Sequence, residues 1–457
     1  MSTAPELVVD GAPVKRNWYY STTCQALILG GVSFLGVGMY NALSGLGAGG
    51  LASATAWNQA TAILFAFLCV TCVFAPIVIN QFQLRWTLSL SACTYAIYAA
   101  SLYENSRSGN EWFLIFANAI NGIGGGLYYA CEGAAVVGYP EENRRGRMIA
   151  VWVACRNLGP IVGGAILLGL NIETNGTGAV SLNSFAVFVG ICCAAPFVGL
   201  LLAPAEKVQR KDGTKVVMHK TNWKTEMSAF RRHITDPKIL LLCPLFLTSW
   251  FADSYVSTYN SQHLSVRARA LSSFLTPFAG NIASLLTGTF LDSRIKSRRT
   301  RAKLALGFFF LLDLAMWAYS AANKVHYDSL PAAASKFDYT ASGFGRAYLH
   351  SFFRNFEELG IQSFLYFLMG CMTDDIQELT HLSGILRGLE GAGQAISYGI
   401  MGSTASHWVV IGLGFGLVII SYPLAFFSIR QIEEKSTPVK EEKEVEEESF
   451  ERKEVEA

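Results

Sequence analysis

Residues 118–164 read NAINGIGGGLYYACEGAAVVGYPEENRRGRMIAVWVACRNLGPIVGG. Two apolar spans flank the charged turn Tyr139-Pro140-Glu141-Glu142-Asn143-Arg144-Arg145-Gly146-Arg147. The first span carries Glu132 and the second Arg156, each eight residues from the turn, counted to Pro140 and from Met148. At the α-helical rise, both sit roughly 12 Å from it. If the spans cross a membrane as an antiparallel pair, carboxylate and guanidinium lie at one depth. An ionisable group in hydrocarbon is costly, so the two are expected to pair, either as part of a functional cavity or to fix helix register.

The rest of the chain extends this membrane reading. Of its 457 residues 51% are hydrophobic and 15% charged, where a soluble domain carries about 25% charged residues. Apolar runs near the length needed to span a bilayer occur at 21–43, 57–80, 86–103, 112–138, 148–170, 184–203, 238–260, 270–291, 303–321, 346–372, 382–404 and 407–429, which makes twelve. The first is too long for a signal-peptide core and is expected to stay as a membrane helix. The cysteines at 24, 69, 72, 93, 131, 155, 192, 193, 243 and 371 all fall in or beside these runs. They read as small buried hydrophobes, with no disulfide framework and no metal at Cys69-Val-Thr-Cys72.

Lysine and arginine asymmetry sets the orientation. Alternate loops hold Lys15 and Arg16, Arg85, Arg144 to Arg147, a large set from Lys207 to Lys238, and Arg294 to Lys303. The other loops hold only Arg107, Arg267, Arg269, Lys324, Lys336 and Arg346. Both termini are therefore expected in the cytoplasm. The sequon Asn175-Gly176-Thr177 then faces outward, with Asn175 a glycosylation candidate. The chain divides into a cytoplasmic N-terminus (1–20), a six-helix half (21–203), a basic central loop (204–237), a second six-helix half (238–430) and an acidic tail (431–457). Within the loop, 223–234 suits an amphipathic helix on the inner membrane surface. The tail reads as disordered or as a solvated helix.

Polar stripes at helical spacing mark faces turned from lipid. The fourth span shows Asn118, Asn121, Gly125, Tyr128 and Glu132, with Gly122, Gly126 and Gly133 beside them for close helix approach. The seventh shows Trp250, Asp253, Ser257 and Asn260, and the tenth His350, Arg354, Glu357 and Glu358. In the eleventh, Arg387 and Glu390 lie toward the inner end and suit structure or gating, followed by Gln394 and Tyr398. Asp253 leans to function, because no basic residue shares its span. The sixth and twelfth spans suit lipid-facing helices. Asp313 in the ninth has no assigned partner.

Twelve spans, a basic mid-chain loop and polar spans four, seven and ten resemble the major facilitator superfamily. The resemblance implies an all-α membrane protein of 12 transmembrane helices in two pseudo-symmetric six-helix halves. Gly288-x3-Asp292-Ser-Arg294-x3-Arg298-Arg299 resembles its inner-loop motif, in which an acid at a helix end latches to basic residues. The first-half equivalent has Asn80 in place of the acid and only Arg85 nearby. Gly159-Pro160-x-x-Gly163-Gly164 resembles the antiporter signature, with Cys155 replacing one glycine, and reads most simply as a kinked, closely packed helix.

A closer resemblance is to the uncoordinated-ninety-three-like family, particularly its fungal members. It rests on Tyr40-Asn41-Ala42-Leu43-Ser44-Gly45-Leu46-Gly47, Tyr139-Pro140-Glu141-Glu142, Arg267-Ala-Arg269-Ala-Leu271, Asp292 with Arg298-Arg299-x-Arg301-Ala302, and Leu382-Ser-Gly384 through Gly393-Gln394. Two functions follow. One is a secondary transporter of a small polar solute, its cavity lined by Asn121, Tyr128, Glu132, Asp253, Asn260 and Arg354, with Glu132 or Asp253 as proton-coupling candidates. The other is a non-transporting accessory protein bound to a membrane-protein partner, since animal members of the family are described as regulators of channels or trafficking partners of receptors. Neither requires a cofactor, a metal or nucleic acid. Nothing in the chain reads as an enzyme: Gly124-Gly125-Gly126 lies inside a span with no following Lys-Ser/Thr, so it is no phosphate loop.

Overall fold

A computed structural model describes residues 7–9, 12–14, 17–141, 145–174, 176–211, 216, 223–293, 297–331, 336–373 and 376–432. Asn175, Arg294, three residues of the charged turn (142–144) and all but the first two residues of the acidic tail lie outside them. Among the described residues twelve helical spans follow in order. Spans 1 to 6 are Thr22–Gly45, Ala54–Phe82, Leu84–Ser108, Glu111–Gly138, Arg145–Asn171 and Leu182–Gly199. Spans 7 to 12 are Pro237–His263, Val266–Asp292, Arg298–Asp328, Phe344–Met372, Ile376–Met401 and His407–Ile429. Eight are apolar enough to cross a membrane on composition alone. Spans 3, 4, 10 and 11 are not, because their faces carry the serines, asparagines, glycines and charges of the interior.

Local chemistry sets the boundaries. Side chains of Ser21, Ser53, Asn110, Ser265, Ser297 and Ser406 each accept a hydrogen bond from a first-turn amide, satisfying a donor that a helix start leaves open. Gly109 ends span 3 in the left-handed conformation at φ 71°. Several starts come earlier than the apolar runs suggest: capped by Ser265, span 8 begins at Val266 and not 270; capped by Ser297, span 9 begins at Arg298 and not 303; span 11 is helical from Ile376 and not 382. Trp223–Ile234 is helical. A short hairpin, Leu7–Val9 with Ala12–Val14, precedes the bundle.

The halves repeat one another. Span 2 packs on span 4 as span 8 packs on span 10, and span 3 on span 6 as span 9 on span 12. Across the interface span 5 packs on span 8 and span 2 on span 11, a pair of contacts that exchange when six spans are added. Each half has its own hydrophobic core, the first completed by Val266, Ala270 and Tyr398 from the second. Outward faces carry Leu285 on span 8, Leu311 on span 9 and Ile419 and Ile420 on span 12, all exposed as a lipid-facing surface requires.

Glycines make the tightest seams. A Cβ on Gly159 would fall 2.6 Å from the Gly38 Cα of span 1, and one on Gly163 2.5 Å from the Ala42 Cβ. A Cβ on Gly164 would fall 2.6 Å from the Phe274 Cα of span 8. The Gly159-Pro160-x-x-Gly163-Gly164 segment is thus a packing seam facing both halves, and span 1 meets it through a π-helical turn at Phe34–Gly38. Gly122 and Gly126 likewise face span 2, whereas Gly133 has open space beside it.

At the end opposite the 139–144 turn, the halves are hydrogen-bonded together. Arg269, placed by the apolar pattern in a loop, is inside span 8 and 2% exposed. Its guanidinium donates to the carbonyls of Leu46 (2.7 Å), Gly47 (2.6 Å) and Gly178 (2.8 Å), all of the first half. Ser273 Oγ donates to the Ala42 carbonyl (2.7 Å), the Ala48 amide to Ser257 Oγ (2.9 Å) and Asn58 Nδ2 to Thr258 Oγ1 (2.9 Å). The acceptor loop is held by left-handed backbone at Gly47, Ala48, Gly49 and Gly50. A side chain at Gly47 would meet the Ser257 carbonyl at 2.6 Å, so glycine is required there on both counts. Just outside, Asp338 forms a two-pronged pair with Arg267 (2.8 and 2.5 Å), which holds its carboxyl well below the usual carboxylate range.

Two predictions follow from these seams. Gly164→Ala is expected to lower stability by about 1–3 kcal/mol through overpacking, while Gly133→Ala leaves it unchanged or raises it by up to about 1 kcal/mol; thermal unfolding in detergent separates them. Arg269→Met removes three charge-assisted bonds and is expected to cost about 2–4 kcal/mol. Arg269→Lys restores only part of this in the same assay, because an ammonium lacks the planar fork that reaches three fixed carbonyls.

Candidate functional site

Midway through the bundle, Glu132 of span 4 and Arg156 of span 5 lie side by side, with Nη1 and Oε2 3.7 Å apart. The other carboxylate oxygen accepts from Ser33 Oγ (2.6 Å), Trp152 Nε1 (3.0 Å) and Tyr128 OH (3.2 Å). Trp152 stands one helical turn before Arg156 and its ring also lies under the guanidinium, 5.5 Å from its centre. Glu132 is therefore fixed by three donors from three spans. Arg156 is held more loosely.

The second half brings a matching pair. Arg387 Nη1 lies 2.9 Å from Glu390 Oε2 on span 11. With its amide oriented to satisfy both donors, the Gln362 carbonyl accepts from Arg387 (2.7 Å) and Trp250 Nε1 (3.3 Å). Arg387 also lies 5.0 Å from the ring centre of Tyr129, the same ring that Arg156 approaches at 5.7 Å. Two guanidinium groups, one from each half, thus share one aromatic ring. Their side chains are 19% and 14% exposed, while each partner carboxylate is 4% exposed. Arg387 and Glu390, read from sequence as an inner gate, belong to this centre: span 11 starts at Ile376, which puts Arg387 three turns deep.

A separate charged group sits in the second half. Arg354 Nη1 contacts Asp313 Oδ1 at 3.0 Å and Glu357 Oε2 at 2.8 Å, with Glu358 buried beside them. Its guanidinium lies 4.4 Å from the Trp317 ring centre. Asp313 thereby gains the partner that its own span does not supply. Asp253, half-buried, accepts from Tyr398 OH (3.0 Å) and Gln394 Nε2 (3.3 Å).

Several candidates stand elsewhere. Asn118 donates to the Leu114 carbonyl (2.8 Å) and Asn121 accepts from Thr94 of span 3 (3.0 Å), both fully buried within the first half. The fourth-span stripe therefore divides: Asn118 bonds within its own helix, Asn121 joins span 4 to span 3, and Tyr128 and Glu132 reach the centre. Asn260 accepts from Ser351 (2.6 Å) beside Gly47, at the sealed end and away from the central pair. Asp292 is exposed at the last residue of span 8, and Arg298 is exposed at the start of span 9. Arg299 donates to the Ile432 carbonyl (2.7 Å). Among the described residues no ion pair joins Asp292 to Arg298 or Arg299, and Arg294 of the same motif lies outside them. Ser33, Tyr129, Trp152 and Gln362 complete the centre and were not legible from stripes alone, although Trp152 has helical i,i+4 spacing from Arg156.

Two repeated six-helix halves around a charged, aromatic centre define a transporter-type multi-pass membrane protein. The family model described as Major Facilitator Superfamily matches residues 23–371. A notoamide biosynthesis cluster protein of Aspergillus versicolor is 36% identical over 92% of this chain and 91% of its own length. UNC93-like protein 1 of Arabidopsis thaliana is 30% identical over 90% and 91%, and an UNC93-like protein of Schizosaccharomyces pombe 29% identical over 90% and 84%. The chain belongs to the major facilitator superfamily, in its UNC93-like branch. Among solved structures, the partially occluded inward-open xylose transporter of E. coli superposes with TM-score 0.61 over 92% of this chain and 99% of its own, at 12% identity. A POT family transporter does so at 0.63 over 93% and 98%, at 13% identity. At such identities these likenesses establish the fold.

Removing one partner of a buried pair strands the other. Glu132→Leu is expected to cost about 3–5 kcal/mol, and Glu132→Leu with Arg156→Leu distinctly less than the two single changes summed. A double-mutant cycle of thermal unfolding checks this.

Proposed function

We propose that this chain is an alternating-access secondary transporter of a small polar solute, bound at the centre between Arg156 and Arg387, with the 139–144 turn and both termini on the cytoplasmic side. One observation carries the reading: a guanidinium from each half converges on Tyr129 while the opposite end is closed by cross-half bonds. Arg156 is held by a long 3.7 Å ion pair and two ring contacts, which leave guanidinium donors for a ligand. A solute bearing an acceptor oxygen that touches both arginines gains contacts from both halves at once. Such a ligand binds one arrangement of the halves better than the other and shifts the balance between them.

Orientation follows from the basic loops, which cluster at the turn end. The sealed end is then extracellular or lumenal and the centre is approached from the cytoplasm. The name of the Aspergillus versicolor relative, a biosynthesis cluster protein, agrees with a small-molecule cargo. A second reading, an accessory protein for another membrane protein, is supported by the UNC93-like relatives, whose names carry no cargo. It requires a stoichiometric partner after mild detergent extraction.

Thermal unfolding of the purified chain against a panel of small polar metabolites decides between them. A ligand at 100 times its dissociation constant is expected to add about 2.7 kcal/mol. That gain disappears in Arg156→Gln and Arg387→Gln. A panel without shifts, together with a co-purifying membrane protein, would establish the accessory role instead.

A further inference from the structure

Span 7 is broken at mid-depth. One helical segment ends at Thr248 and the next begins at Asp253, with a loose turn over 249–252 between them. Span 11 carries the break. Gly393 leaves room for the Leu247 carbonyl, Ser397 Oγ donates to the Phe251 carbonyl (2.6 Å), and the Ser254 and Ser397 hydroxyls are joined. Asp253, first residue of the second segment, is thereby fixed. Tyr398 OH (3.0 Å) and Gln394 Nε2 (3.3 Å) both donate to its Oδ2. Among the described residues Oδ1 accepts no hydrogen bond and Asp253 joins no ion pair.

Two spans set its distance from the arginine centre. On span 7, Trp250 donates to the Gln362 carbonyl that also accepts from Arg387, and Asp253 lies three residues further on. On span 11, Glu390 pairs with Arg387, and Gln394, four residues further on, bonds Asp253. Both spans run toward the sealed end, where Asn58 bonds Thr258 of the one and the Met401 carbonyl of the other. Asp253 therefore lies about 5–6 Å of helix rise beyond Arg387. Guanidinium donors stand at one level, with Arg156 held only by its long 3.7 Å pair and ring contacts, and an open carboxylate oxygen stands about one turn further out.

This spacing disfavours two kinds of solute. A simple acid bound by the arginines would set a second anion about one turn from Asp253, and like charges repel strongly in a low-dielectric interior. A simple amine would bring a cation against Arg156 and Arg387 and leave their donors unmet. A molecule with an acid and an ammonium a few bonds apart satisfies both levels, each through a charge-assisted hydrogen bond. We infer that the solute of this centre is a zwitterion of the amino-acid class, its acid group between Arg156 and Arg387 and its ammonium on Asp253 Oδ1. The inference rests on the transporter reading above and adds to it the class of cargo. Arg156 belongs to the first half and Asp253 to the second, so the two ends of one molecule bridge the halves. Asp253 selects for the amine, and the arginines hold the acid.

Thermal unfolding of the full chain in detergent with matched compounds tests this. The probes are α-, β- and γ-amino acids, each beside its N-acetyl derivative, which keeps the acid and loses the ammonium, and its amide, which keeps the ammonium and loses the acid. At least one amino acid is expected to stabilise the wild type, with both derivatives binding about 30-fold or more weakly. In Asp253→Asn the preference for the amino acid over its N-acetyl form should vanish, whereas a merely structural role for Asp253 lowers stability and leaves that preference unchanged. A wild type that responds as strongly to the N-acetyl forms overturns the inference and leaves the transporter reading intact, and this comparison needs no variant to fold. So does silence toward every amino acid while another polar solute stabilises the chain in an Arg156-dependent way. Silence toward all solutes, with a co-purifying membrane protein, overturns the transporter reading and the inference with it.

Discussion

A guanidinium keeps its charge at any depth in a bilayer, so each arginine inside this bundle must be answered by protein groups. The answers differ, and the architecture follows from them. Arg269 is answered by three main-chain carbonyls, which ties the halves together at one end. Arg156 and Arg387 are each answered by one carboxylate and share the ring of Tyr129. Arg354 is answered by two carboxylates, Asp313 of span 9 and Glu357 of its own span. Clasp, central pairs and buried triad are three solutions to one solvation problem.

The alternating-access cycle proposed above requires the halves to move, and the placement of these groups suits it. Each central ion pair lies within its own half, so separating the halves breaks no salt bridge there; of the two arginine–tyrosine contacts, Arg387–Tyr129 is the one that crosses between them. The clasp, by contrast, must be broken bond by bond. An interface that is strong at one end and weak at its middle opens by rocking about the strong end, which is the motion that repeated halves permit. Packing of span 5 on span 8 and span 2 on span 11, each relieved of side chains by glycine, provides smooth surfaces for it.

Much of this was legible in the sequence because hydrocarbon imposes strict rules. Apolar runs marked out the long helices, and equal distances from one turn brought Glu132 level with Arg156. What escaped had identifiable causes. Arg269 and Arg387 were misplaced because polar first turns lengthen spans 8 and 11 beyond their apolar runs. Asp313 had no visible partner because Arg354 lies on another span, and sequence spacing does not say which spans adjoin. Tyr129 sits beside the polar stripe and not on it, and an aromatic residue in a membrane helix carries no signal of its neighbours. The segments around Ala42–Gly47 and Arg267–Leu271, more than two hundred residues apart, each carried the family resemblance; the structure shows them to be the two sides of one clasp.

That clasp is asymmetric in its chemistry. At Arg269 the second half contributes a side chain, whereas the first contributes only main chain, with Leu46 and Gly47 set by a left-handed run at Gly47 to Gly50. No side chain of the first half can therefore be exchanged to retune the guanidinium bonds, since every acceptor is a peptide carbonyl common to all residues. The first half can diverge freely in sequence around its glycine turn and still fit the same second half. The two halves are thus interchangeable parts in the way a key and a standard lock plate are: a first half transplanted from a relative needs to bring the bend, not the residues.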